Sequence, residues 1–174
     1  MTYWSYKTAS TKPEFTDVMK SWLEKYLRGQ YSKDYHICVL IPNSHLSKIA
    51  IDDVKKIDNY SSFEFAPDIL GLLIPKISTE KPKLIFMNRS VSAISLKEIG
   101  ELYCYSKLAN PFLAFIVSPK GLSNEVNFLL LNKGIEKNLL NYYDDKFIIT
   151  FRWDENAKKI DKKSIFPIEK QNEF

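Results

Sequence analysis

Lys158, Lys159, Lys162 and Lys163 crowd one short stretch near the end of a 174-residue chain. Such a cluster either contacts phosphate or serves as a solubilising face. Lys97, Glu101 and Tyr105 recur at four-residue steps, which sets all three on one side of a helix. They read either as a surface ion pair beside a packed tyrosine or as a polar stripe facing a substrate. Asp68 follows Pro67 where an apolar run begins, the usual place of a turn residue, and Arg89 closes the next apolar run as a solvated strand end. Tyr3, Trp4 and Tyr6 precede the first helix as rings for base stacking or for packing. Other chemistries are excluded. His36 and His45 are isolated, and neither lies near a cysteine pair at zinc-ligand spacing. The 5 glycines form no phosphate loop or dinucleotide fingerprint, and no Gly-x-Ser-x-Gly elbow is present.

The framework that must position these residues is that of one ordinary domain. Hydrophobic residues make up 45% and charged residues 26%, which excludes disordered and low-complexity classes. Two cysteines, Cys38 and Cys104, each inside an apolar pattern, make no disulfide framework and fit a reducing compartment. The amino-terminal stretch has no apolar core like that of a signal peptide, and no apolar run approaches the ~18 residues of a membrane span. An intracellular, cytoplasmic protein without membrane contact is expected. The formal net charge of +4 permits a polyanionic partner without requiring one.

Apolar periodicity predicts a helix over 13–28, where Phe15, Val18, Met19, Trp22, Leu23, Tyr26 and Leu27 form one stripe. Thr11 to Glu14 reads as a capping box and Gly29 as the stop. Short apolar runs predict strands over 35–41, 65–74, 83–89 and 112–118, and period-two alternation predicts another over 147–153. A second helix is expected over 46–57. A third starts at the capping box Ser95-Leu96-Lys97-Glu98 and ends at Asn110-Pro111, and a fourth covers 124–132. The order implies an α/β fold: a mixed β-sheet with helices on both faces. The strands near 69 and 85 are expected to be antiparallel, and the unit over 83–118 to be a parallel crossover. Residues 1–153 are read as a single domain and 154–174 as a basic C-terminal extension.

Within this order the stretch from Phe65 to Gly121 resembles the PD-(D/E)XK nuclease superfamily. Pro67-Asp68 opens a strand, Leu84-Ile85-Phe86 leads into Met87-Asn88-Arg89, and Glu101 to Tyr105 stands where Gln-x-x-x-Tyr would be. Ala109-Asn110-Pro111, an apolar strand and Ser118-Pro119-Lys120-Gly121 follow as in the family. The resemblance implies a restriction-endonuclease-like core. It also implies a divalent metal held by carboxylates at the ends of adjacent strands, with a lysine beside the second acid.

The sequence departs from that pattern at its centre. With Asp68 as the first metal ligand, the second acid falls on Met87 and the lysine on Arg89; the neighbouring register gives Phe86 and Asn88. A thioether does not hold Mg²⁺, and arginine cannot act as a base near neutral pH. The alignment puts Met87 and Arg89 on the strand face that holds Asp68. The resemblance therefore implies a nuclease-fold protein with a decayed metal site and no cofactor, a nucleic-acid-binding or complex-forming subunit. Its expected partner is nucleic acid, DNA for choice and without sequence preference, bound through Arg89, Lys97, Tyr105, Lys120, Lys158 and Lys159. A protein partner or a homodimer is also compatible. The alternative is an active nuclease using Mg²⁺ or Mn²⁺, with Asp68 joined by Glu98 or Glu101 and with Lys97 in the place of the family's lysine. A protein-interaction module without nucleic-acid contact is the third reading.

Overall fold

The computed structural model describes residues 11–77 and 80–174, with side chains from Phe15 onward. Tyr3, Trp4 and Tyr6 lie outside the described residues, as do the side chains of the expected capping box at 11–14. Among the described residues, seven strands form one mixed sheet. β1 (Tyr35–Leu40), β2 (Ile69–Pro75) and β3 (Lys83–Arg89) are antiparallel neighbours. β4 (Leu113–Ser118) runs parallel to β3, and β6 (Lys146–Asp154) runs parallel to β4. β5 (Asn141–Tyr143) and β7 (Lys159–Phe166) both pair antiparallel with β6.

Both sheet faces are covered, which is why the central strands read as continuous apolar runs rather than as alternation. On one face lies α1 (Thr11–Tyr31), whose Met19, Leu23 and Leu27 are fully buried against Ile69, Ile85, Met87, Phe115 and Phe151. Burying each such side chain contributes about 1.5–3 kcal/mol relative to leaving it exposed. Gly71 in β2 permits the approach, because a Cβ there would lie 3.0 Å from Ile85 Cβ and 3.2 Å from Leu27 Cδ1. On the other face, Leu70, Leu72, Leu84, Phe86, Ala114 and Ile116 meet Ile99 and Leu102 of α3 (Leu96–Ala109). Val126 and Leu130 of α4 (Asn124–Leu130) and Leu140 of α5 (Lys133–Leu140) complete that layer.

Three expectations are corrected. The helix expected over 46–57 is broken into a 3₁₀ turn at Leu46–Lys48 and the four-residue α2 (Asp52–Lys55). Ile49 and Ile51 are extended, and the N–H groups of Leu46 and Ser47 bond to Phe65 and Phe63 instead of joining a helix. The strand expected from Phe65 starts at Ile69, after Pro67, which has no N–H to donate. Finally, 154–174 is no extension: it supplies β7, buries Ile165 and Phe166, and sets Phe174 against Phe115. Among the described residues no helix is long and apolar enough to cross a membrane.

Candidate functional site

The register of β2 on β3 decides which side chains can meet Asp68. Ile69 pairs with Met87, so the next pair outward is Asp68 with Asn88. The Asp68 N–H donates to Asn88 Oδ1 at 3.3 Å, and Asp68 Oδ2 accepts from the Arg89 N–H at 2.9 Å. Asp68 and Asn88 therefore share the sheet face that carries Leu70 and Phe86, the face covered by α3. Met87 is on the opposite face, fully buried under α1. The expected sharing of one face by Asp68 and Met87 is thus corrected, while Arg89, at the strand end, lines the same cavity as Asp68. A one-residue slip exchanges the faces of a strand, and β3 is apolar on both.

Beyond the carboxyl end of β3 the chain closes a cavity of about 320 Å³ lined by Asp68, Asn88, Arg89, Lys97, Glu98 and Glu101. Ser90 and Ser92 join this lining, and their hydroxyls lie 3.1 Å apart. The Ser118 hydroxyl donates to the Ser92 carbonyl at 2.6 Å and accepts from the Lys120 N–H at 2.9 Å, which anchors the turn carrying Lys120 behind the cavity. The carboxyl ends of parallel strands are where α/β sheets usually bind ligands.

The acids of this cavity are already engaged. Glu98 closes the capping box of α3: its Oε2 accepts from the Ser95 N–H at 2.9 Å and from the Ser95 hydroxyl. Burial pushes the Glu98 carboxyl up, but the bonds from the Ser95 hydroxyl and backbone, with Lys97 alongside, outweigh it and hold the group below the ordinary carboxylate range. Glu101 Oε1 accepts from the Tyr105 hydroxyl at 3.2 Å. Tyr105 in turn stacks on Phe65, centroids 4.2 Å apart and planes within 6°. Its phenol is raised, first by burial and then by the Glu101 charge. No group of three Asp, Glu, His or Cys side chains able to hold an ion comes together among the described residues.

The bases are placed differently. The Lys97 ammonium is exposed and forms no ion pair with Glu101 or any other described residue. Arg89 Nε and Nη1 are buried with no hydrogen-bond partner. Buried donors left unpaired cost about 1–3 kcal/mol each, more when charged.

Asp68, Arg89, Lys97, Glu98 and Glu101 are therefore brought to one cavity, whereas Tyr105 and Lys120 are not in its lining: Tyr105 is bonded to Glu101, and the Lys120 N–H to Ser118. Lys158 and Lys159 are not: they line a separate cavity on the α1 side with Trp22, Tyr26 and Phe174. Sequence reasoning offered Asn88 only in the neighbouring register and missed Ser90; the strand register is what sets Asn88 beside Asp68. No protein family, curated protein or solved structure matches the chain.

Proposed function

We propose that this chain is a nucleic-acid-binding protein, a non-catalytic subunit of DNA or RNA processing built on a restriction-endonuclease-like core. One observation carries the reading: at the carboxyl edge of β3 the acids accept bonds from the protein itself, while Arg89 Nε and Nη1 have no partner and the Lys97 ammonium is in no ion pair with a described residue. Such an edge offers donors to an anion rather than ligands to a cation. On this reading Asp68 answers to the first acid of the superfamily and Asn88 and Ser90 answer to its Glu and Lys. Glu101 and Tyr105 answer to Gln-x-x-x-Tyr. A divalent metal fits this donor set poorly. Asn88 supplies a neutral amide where a carboxylate is needed, and Glu98 is committed to capping α3.

Fluorescence anisotropy with a labelled DNA duplex tests the reading. Binding is expected to be independent of sequence and to fall steeply between about 50 and 200 mM salt, because phosphate contacts release counterions. Arg89→Ala and Lys97→Ala should each reduce the salt slope by about one. No binding of duplex at low salt would favour a protein-interaction module.

A second reading is favoured by the convergence of Asp68, Glu98, Glu101 and Lys97 on the same cavity. It is an active nuclease whose second acid has moved to α3. Cleavage that requires Mn²⁺ and disappears in Asp68→Ala would establish it in place of the first.

A further inference from the structure

The apolar stripe of α1 is not wholly buried. Trp22 and Tyr26 stack with centroids 5.4 Å apart and planes within 10°, and Tyr26 stacks on Phe174 at 5.1 Å and 22°. All three rings line a cavity of about 410 Å³ between α1 and the start of β7. Its inner wall is fixed, because Trp22 also packs on Phe151 at 5.2 Å and on Phe115 at 6.0 Å. Lys25, Lys158, Lys159 and Lys162 line the same cavity, and among the described residues no acidic side chain does. None of the four lysines is in an ion pair with a described residue. Glu173, close to Tyr26, is bonded to Lys170 at 2.6 Å.

From this juxtaposition we propose that the Trp22–Tyr26–Phe174 platform with its four lysines is a binding site for single-stranded nucleic acid. Near-parallel rings at a surface extend by stacking onto a further flat π-system, and unpaired lysines around them meet the phosphates on either side of that base. A duplex keeps its bases stacked on one another and offers none to the platform. An acidic peptide would satisfy the lysines but has no π-face for the rings. The site shares no residue with the cavity around Asp68, so it goes beyond the duplex contact proposed above and stands or falls separately from it.

The test titrates the full chain with oligo-dT of eight nucleotides at about 50 mM salt, following tryptophan fluorescence and the anisotropy of labelled oligomer. Trp22 is expected to be quenched on binding. With Trp4 replaced by Phe in parent and variant alike, Trp22→Phe keeps an aromatic ring in the packing and should abolish the quenching, because the remaining Trp153 is buried in the core. An abasic oligomer of equal charge should bind about tenfold more weakly, the loss expected when base–aromatic stacking is removed. Lys158→Glu with Lys159→Glu, both exposed, should weaken oligo-dT about tenfold or more at this salt without lowering the melting temperature. Equal affinity for the abasic oligomer, quenching that persists in Trp22→Phe, or undiminished binding by the double lysine variant would each overturn the site. Thymidine monophosphate is the last arm: quenching at the same concentration as the octamer would reassign the platform to a free nucleotide and overturn the strand.

Discussion

Because Asp68 Oδ2 receives the Arg89 N–H across the strand end, its removal is expected to act first on stability. Asp68→Ala leaves a part-buried donor unpaired and should cost about 1–3 kcal/mol in urea denaturation, whereas Asp68→Asn keeps an acceptor and should cost less. The register makes a sharper claim. Met87→Glu sets a carboxylate under α1 among Phe15, Met19 and Phe115, so it should destabilise by about 4 kcal/mol or more with no metal response. Asn88→Glu instead sets a carboxylate beside Asp68 at a half-buried strand end. Two like charges there lower stability without metal, and Mn²⁺ should restore it by binding the folded state alone. Thermal melts with and without Mn²⁺ separate the two variants, and recovery in Met87→Glu would contradict the register. Nothing in Leu84-Ile85-Phe86-Met87 distinguishes the faces by residue type, so this part of the site was not legible in the sequence. The residues converging on the cavity from α3 were legible, because Lys97, Glu98 and Glu101 follow from the capping box and helical spacing.

At the scale of elements, the start of α3 is where sequence and structure agree in chemical detail. Ser95 and Glu98 exchange the expected pair of bonds, which fixes the helix end beside the cavity. Ser95→Ala should cost about 1 kcal/mol, read from denaturant midpoints. The Glu98 carboxyl lies below its ordinary value when folded, so its contribution is complete above the unfolded pKa and is lost as pH falls through the folded one. Stability measured from pH 7 down through the carboxylate range should therefore fall less steeply in Glu98→Gln than in the parent, and an identical decline would contradict the cap. The strand over 83–89, the helix after Ser95 and the parallel crossover they form with the strand after Pro111 were equally readable, since long apolar runs and caps are strong local signals. The elements at 133–140 and 159–166 were not. α5 is a short helix capped by Asn132, with Gly134 in its first turn weakening its pattern. In β7, Lys159, Lys162 and Lys163 dilute the apolar signal. Lysines on an edge strand discourage further pairing, so a composition that reads as a solvated tail is here the composition of a sheet edge.

At the scale of the molecule, that misreading changes how the basic carboxyl-terminal region must be probed. β7 pairs along the second half of β6, buries Ile165 and Phe166, and leads to Phe174, which packs on Trp22, Tyr26 and Phe115. Deleting residues 159–174 would remove four of the five lysines of 154–174, but it would also expose the β6 edge and open the core under α1. Loss of two large buried side chains and the three ring contacts of Phe174 is comparable to the roughly 5–15 kcal/mol by which a domain remains folded. The truncated chain is therefore expected to lose cooperative thermal unfolding in circular dichroism, so a drop in its nucleic-acid affinity would say nothing about charge. Point reversal in the β6–β7 turn isolates the charge term. Lys158 and Lys159 are exposed there, so their substitution by glutamate should shift stability by no more than about 0.5 kcal/mol. A truncated chain that melts like the parent would show that β7 is dispensable and that 154–174 is an appendage after all.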